Sequence, residues 1–302
     1  MTERPDQSPI TSPRSERVRK VAALTGRSAR RKQGRFRIEG PQAVRSLLAH
    51  RPDLALELFV TPEALTAHPE LADLAQDAGV AAREVPGEVI RAMVRDPGPG
   101  HDGELDTEAA TGSRAGALVS PQGVVAIGRL PAEESSAAPV AIQALPGTAP
   151  VTVVVLHEVR DPGNVGTLIR TADAAGADLV VLTRTSADPF SPKAVRAAAG
   201  SLVHLPVVAG ADIDETLGSL ASAGITAAAT SGRAEQDLFV ADLPARVAWI
   251  LGNEAHGLDE STLAAAPLAV RIPLAGHAES LNVHTAATVC LFETLRRRQA
   301  GV

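Results

Sequence analysis

The 302-residue chain (31.1 kDa) is 45% hydrophobic, 21% charged and 2% aromatic, with 29 basic against 35 acidic residues and a single cysteine. A formal charge of −6 excludes a uniformly basic nucleic-acid coat protein, and the lone Cys290 excludes a disulfide framework or a cysteine-based zinc cluster. The length suits two domains at about 100–200 residues each, Pro interrupts every long apolar stretch, and the polar N-terminus lacks an apolar signal core, so the expectation is a soluble cytoplasmic protein.

Residues 1–37 hold eleven Arg or Lys against three acidic residues, a net of +8 that leaves the other 265 residues at −14. A basic arm on an acidic body is a footprint for a polyanion, because each neutralised phosphate releases condensed counterions. The plainer reading is a solvated tail. Residues 1–15, rich in Pro, Ser and Thr, read as a disordered tail. Beyond it, 41–49 is predicted as a helix, 55–60 as a strand and 70–78 as a helix stopped by Gly79. A strand near 80–85, a helix over 87–94 and a strand over 123–129 follow, with 96–116 as a long surface loop. These make 16–130 a small α/β domain. Tyr is absent and Phe numbers five, which argues against base stacking on aromatic rings.

Residues 131–149 are Pro- and Ala-rich without clear periodicity and read as a linker. The pattern then changes. The β-branched run 151–156 is the signature of a strand buried on both faces. Strands are also expected at 179–183, 204–208, 225–230, 247–251 and 269–272, alternating with helices. That alternation gives an α/β domain over 150–302 with a parallel sheet covered by helices.

In such sheets ligands lie beyond the carboxyl ends of the strands, and three loops there have unusual composition. In His157–Arg170 (HEVRDPGNVGTLIR), Gly163 and Gly166 permit close backbone approach, and Asn164 reads as the cap of a helix carrying Arg170. The guanidinium can then point back across the helix mouth toward an anion. Alone, this loop fits a mononucleotide site or a plain tight turn; it lacks both the P-loop and the dinucleotide pattern. The second loop is 250–258 (ILGNEAHGL). The third, 272–293, leads into a long helix with Ser280 as the expected N-cap and Asn282 in the first turn. No nucleophilic Cys and no metal-ligand cluster accompany them. Cys290 reads as core, His157, His256 and His277 as local hydrogen bonding, and 296–298 as a solvated helix end.

At these loops the sequence resembles the SpoU/TrmH family of RNA 2′-O-methyltransferases, of the knotted SPOUT class. The residues that carry the resemblance are Asn164–Val165–Gly166…Arg170, then Gly252–Asn253–Glu254…Gly257–Leu258, then Ile272–Pro273–Leu274…Ser280–Leu281–Asn282–Val283…Glu293, in the family's order and spacing. Residues 191–200 (SPKAVRAAAG) also agree, and 30–47 look like the start of the L30e-like RNA-binding domain often fused to this catalytic domain. His284 departs from the pattern, since many relatives carry Ser there.

The resemblance implies a SPOUT-type parallel sheet with a C-terminal trefoil knot, preceded by a small L30e-like α/β domain that binds the RNA substrate. It implies methyl transfer from S-adenosylmethionine to a ribose 2′-hydroxyl in structured RNA, rRNA ahead of tRNA, by a homodimer without a metal. Arg170, Asn164, Glu254, Ser280 and Asn282 take the catalytic roles. Backbone around Thr230, Ser231, Gly232, Leu251, Gly252, Asn253, Gly257, Ile272, Leu274, Ser280, Leu281 and Asn282 would hold the cofactor. Arg27, Arg30, Arg31, Lys32, Arg35, Lys193 and Arg196 are the candidate RNA contacts. The family's Arg is proposed as a base; because a guanidinium normally keeps its proton, an electrostatic clamp is physically cheaper. A different class of answer is a non-catalytic RNA-binding or ribosome-assembly protein of the same fold. A nucleotide-binding oxidoreductase would rest on the first loop alone.

Overall fold

The computed structural model describes residues 10–95, 122–131 and 137–301. Its contacts divide into two units, Met1–Leu130 and Pro131–Val302. The first contains α1 (Glu16–Ala22), α2 (Arg27–Gln33), β1 (Arg35–Glu39), α3 (Pro41–His50), β2 (Ala55–Val60), α4 (Pro62–Ala67), α5 (Glu70–Asp77), β3 (Ala82–Glu84), α6 (Gly87–Val94) and β4 (Val124–Arg129). β4 lies between β1 and β2 and is antiparallel to both, while β3 runs parallel to β2 at the edge. Phe59, Val125 and Ile127 on the sheet pack against Val18 and Val21 of α1 and Val89, Ile90 and Met93 of α6.

Residues 1–9 of the expected disordered tail and the expected loop 96–116 lie outside the described residues. The remainder of that tail is ordered: Ile10 is buried in the core, and the Ser15 hydroxyl caps α1 by accepting from the Val18 N–H. Burial of one apolar residue outweighs the polar composition around it.

The second unit contains α7 (Ala138–Gln143), β5 (Val151–Leu156), α8 (Pro162–Ala174), β6 (Leu179–Thr183), α9 (Pro192–Ala198), β7 (Val207–Ala211), α10 (Ile213–Ser222), β8 (Thr226–Thr230), β9 (Gln236–Asp237), β10 (Arg246–Leu251), α11 (Glu260–Ala265), β11 (Leu268–Arg271) and α12 (Val283–Ala300). Its strands form one parallel sheet in the order β7-β6-β5-β10-β8-β11-β9. The continuous apolar runs predicted as buried strands are just that: every residue of β5 and β6 is buried. The expected linker 131–149 is corrected in part, since Ala138 and Ile142 of α7 are buried in the main core. The expected strand at 204–208 is displaced to β7, with a 3-10 turn over Ser201–Val203 before it.

α12 lies on α8 and β10 and is locked there by polar contacts. The buried Trp249 indole N–H donates to Thr294 Oγ1 at 3.0 Å. Glu293 accepts from Arg296 (2.7 and 2.8 Å) and Arg297 (2.7 Å), and Arg297 donates onward to the carbonyls of Leu238 (2.8 Å) and Ala241. Arg298 donates to the Ala245 carbonyl. Arg297, anchored by Glu293, and Arg298 are therefore clamps to neighbouring chain rather than a solvated helix end, whereas Arg296 is exposed as expected and pairs within its own helix.

Hydrogen bonds from Arg296, opposed by burial and reinforced by Arg297, bring the Glu293 carboxyl down to about 2. Because the folded-state value lies below the unfolded one, the clamp's contribution is complete above the ordinary carboxylate range and is lost as pH falls toward 2. Urea unfolding of wild type and Glu293→Gln between about pH 5 and pH 2 checks this. The stability difference is expected to be largest at the upper end and to shrink on acidification; a constant difference contradicts it.

The α8–α9 crossing depends on Gly166. A Cβ there would strike the Ala194 carbonyl and lie 2.6 Å from Ala197 Cβ. The close approach allowed by this glycine thus serves helix packing rather than a ligand. Gly166→Ala is expected to cost about 1–3 kcal/mol in urea unfolding, since backbone must move to admit the methyl.

Candidate active site

The parallel arrangement brings the carboxyl ends of β5, β6, β8, β10 and β11 to one edge of the sheet, and the chain turns there carry the candidate residues. After β5, Glu158 adopts φ +58°, a strained conformation for a non-glycine residue. Three contacts hold it. Its N–H donates to Thr183 Oγ1 at the end of β6 (3.1 Å), its carbonyl accepts from Asn253 Nδ2 (3.0 Å), and the preceding His157 N–H donates to the Leu251 carbonyl (2.8 Å).

The turn after β10 is built as tightly. Asn253 and Gly257 exchange backbone hydrogen bonds (3.0 and 2.9 Å), with Gly257 at φ +71° closing the turn. Asn253 is buried, and its Oδ1 accepts from the Ala255 N–H at 2.8 Å. Gly252 is pressed against this turn: a Cβ would lie 2.5 Å from the Gly257 carbonyl oxygen and 2.6 Å from the Leu258 nitrogen.

Glu254 joins the two turns. Its carboxylate accepts from the backbone N–H groups of Arg160 (3.3 Å) and Asp161 (3.2 Å) and from Asn164 Nδ2 (3.0 Å). Burial pushes this carboxyl up, but the hydrogen bonds from Asn164 and the backbone outweigh it and hold the group below the ordinary carboxylate range. Glu254 is thus an ionised anchor at neutral pH. Its acceptor strength fades as acid titrates it.

Two expected caps are corrected. Asp161, not Asn164, caps α8: its Oδ1 accepts from the Asn164 N–H at 2.9 Å, and Pro162 occupies the first helical position. Asn164, one turn in, is free to turn its amide to Glu254. At α12 the cap is Asn282, which accepts from the His284 N–H at 2.9 Å; Ser280 is exposed two residues earlier and makes no hydrogen bond among the described residues. Arg170, on α8, is exposed and has no polar partner among the described residues. The next residue, Thr171, bonds His284 in the first turn of α12 at 2.8 Å.

Asn164 and Glu254 thus meet by a direct hydrogen bond, Asn253 joins the same turns through the Glu158 carbonyl, and Arg170 and Asn282 are linked only through the bond between their neighbours Thr171 and His284. Among the expected cofactor positions, Thr230 and Leu251 end the adjacent strands β8 and β10, and Ile272 follows β11; the Ser231 N–H donates to the Val270 carbonyl at 3.0 Å. Ile272 and Leu281 are half-buried, Leu274 is 40% exposed, and Gly232 is open to solvent.

The model of the SpoU rRNA methylase family matches residues 151–292, and a second model, for RNA 2′-O ribose methyltransferase substrate binding, matches 37–103. A relative from Bordetella pertussis, a 23S rRNA (guanosine-2′-O-)-methyltransferase RlmB, is 34% identical over 179 residues, 59% of this chain and 71% of that protein. The chain belongs to the SpoU rRNA methylase family. A namesake of that relative from Pseudomonas putida is 37% identical over 150 residues; the match spans half of this chain and only 60% of that protein's length. Among solved structures, the AdoMet-bound rRNA methyltransferase of Sinorhizobium meliloti superposes with a TM-score of 0.75 at 29% identity, covering 97% of this chain and 98% of that one. The SpoU methyltransferase AviRb of Streptomyces viridochromogenes, in complex with AdoMet, gives 0.73 at 26% identity, covering 96% and 100%.

Within this SpoU-family fold, some candidate RNA contacts are already engaged. Arg30 is corrected: it is buried and donates to the carbonyls of Leu24 (2.8 Å) and Thr25 (2.6 Å), so its charge serves the fold. Arg35 pairs with Glu57 at 3.3 Å. Arg27, Arg31 and Lys32 are exposed on α2. Lys193 pairs with Asp161 at 2.6 Å beside the start of α8, and Arg196 lies exposed on α9. Two features went unread in the sequence: the Asp161 cap, which the Asp-Pro pair signals, and the Thr171–His284 bond, which joins residues 113 apart and has no local signal.

Proposed function

We propose that the chain transfers the methyl group of S-adenosylmethionine to a ribose 2′-hydroxyl of structured RNA, rRNA ahead of tRNA. The observation that carries this reading is the Glu254 junction, which ties the Asn253–Gly257 turn to the head of the helix bearing Arg170. The cofactor fits the strand edge by its chemistry: a main-chain-lined turn in which Gly252 leaves no space for a side chain, flanked by Ile272, Leu274 and Leu281 for an apolar ring. When bound, S-adenosylmethionine supplies an activated sulfonium methyl.

The protein's task is to present the hydroxyl and stabilise its oxygen as the proton passes to solvent water and the C–O bond replaces the donor's S–CH3 bond. Arg170 serves as the cationic clamp beside that oxygen or its phosphate, a role that requires no loss of its own proton. Glu254 fixes Asn164 and the 160–161 backbone, and Asn282 sets the start of α12. Thr230, Ser231, Gly232, Leu251, Gly252, Asn253, Gly257, Ile272, Leu274, Ser280, Leu281 and Asn282 line the cofactor's side. In the first unit, of L30e-like type, the exposed Arg27, Arg31 and Lys32 hold RNA phosphates; in the second unit, considered by itself, Arg196 is a candidate phosphate contact.

The C-terminal segment forms a trefoil knot in this reading. Its support is the insertion of β10 between β5 and β8 and the return of α12 from beyond β11 onto α8 and β10. Exposed Phe292 on α12, and Phe239 and Val240 in the segment that Arg297 ties to α12, support a homodimer. An rRNA substrate places the protein in the cytoplasm. Mapping of 2′-O-methyl sites in cellular RNA with and without the gene tests the function. Loss of a site in the deletion, restored by the wild-type chain, is expected; an unchanged map opposes it.

A further inference from the structure

Threonine inside a helix usually returns its hydroxyl to the carbonyl four residues back. Thr167 does so to Gly163 (3.0 Å), Thr288 to His284 (2.8 Å) and Thr294 to Cys290 (2.9 Å). Thr171 does not. It is 9% exposed, and among the described residues its hydroxyl bonds only His284 Nε2, at 2.8 Å. The bond crosses from α8 to the first turn of α12. On one side its neighbour in sequence is Arg170; on the other, the His284 N–H donates to the Asn282 cap. An imidazole has the length to span this gap, whereas a serine hydroxyl, one bond beyond Cβ, does not.

We propose that His284 is a positioning residue for methyl transfer, tying the helix that bears Arg170 to the loop and cap at Ser280, Leu281 and Asn282. The role rests on the function proposed above. Without the tie, α8 and the head of α12 keep their apolar contact but lose the polar contact that fixes their register. A misplacement of about 1 Å between reacting groups costs on the order of a hundredfold in rate.

The test uses the full chain with His284→Leu, Thr171→Val, the double variant and His284→Gln, measured for kcat, KM for RNA and unfolding temperature. The two single variants are expected to lower kcat by about ten- to a hundred-fold with little change in KM. The double variant should be no worse than either single one, because both remove the same bond. His284→Gln, whose amide can still reach Thr171, should recover most of the loss; Thr171→Ala, which also removes the hydroxyl, stands in should the valine variant fail to fold. Folded variants with kcat near wild type, losses that multiply in the double variant, or no recovery with Gln overturn the role while leaving the enzyme intact. A wild-type chain that methylates no RNA overturns the underlying function instead, and the role with it.

Discussion

Replacing Arg170 with alanine is expected to lower kcat for methyl transfer by about a hundred- to a thousand-fold, the range seen when a preorganised charge-stabilising group is removed. The unfolding temperature and the cofactor affinity should stay near wild type. Arg170 is exposed and has no polar partner among the described residues, so its removal leaves no buried group unpaired. Its neighbours are a different matter: Val165, Gly166, Leu168, Ile169 and Ala172 are buried and hold α8 in place without it. Arg170→Lys tests the kind of role. A point charge on a flexible stem keeps part of the electrostatic effect but loses the planar fork, so an intermediate kcat is expected. Single-turnover kinetics with saturating cofactor checks both variants, and a near-wild-type rate for the alanine variant would remove Arg170 from the mechanism.

Gly252→Ala is expected to weaken cofactor binding by more than about tenfold, since an added methyl forces backbone shifts that cost about 1–3 kcal/mol. The physical reason is the identity of the atoms a Cβ would strike. They belong to the Gly257 carbonyl and the Leu258 nitrogen, main chain held by the two Asn253–Gly257 hydrogen bonds, so no flexible side chain can step aside. The turn must open, and with it the Asn253 contact to Glu158 and the Glu254 contacts to the 160–161 backbone and to Asn164 of α8. Gly218 is the matched control. It is exposed on α10, outside the candidate cofactor positions, and a Cβ there meets nothing within 4 Å, so Gly218→Ala should fold normally. Calorimetric titration with S-adenosylmethionine distinguishes the two, and equal affinities in both variants would contradict this account of Gly252.

Much of the second unit was legible because its strands are continuous β-branched or apolar runs, which only a sheet buried on both faces accommodates; 151–156 and 179–183 coincide with β5 and β6. The meeting of the first two loops was legible through motif spacing, since Asn164 and Glu254 are hydrogen-bonded. Local rules failed where two residues competed for one job. Asp161 and Asn164 are both cap formers, and the Pro162 that decides between them marks the first helical position. Ser280 and Asn282 posed the same choice. Net charge misled for a different reason: a sum treats every arginine as solvated, whereas Arg30 and Arg37 are buried against carbonyls and Glu39, and Arg17 pairs with Glu57. The insertion of β10 between β5 and β8 and the Thr171–His284 bond are contacts between distant segments, and no local pattern encodes them.

The most direct measurement is nucleoside analysis of RNA incubated with the purified chain and S-adenosylmethionine bearing an isotopically labelled methyl group. After complete digestion, the label is predicted in a 2′-O-methyl nucleoside and should vanish in the Arg170→Ala reaction. Label on a base, or an unlabelled digest from a chain that binds the cofactor, would contradict the proposal that Arg170, Asn164, Glu254 and Asn282 form a ribose-methylating site.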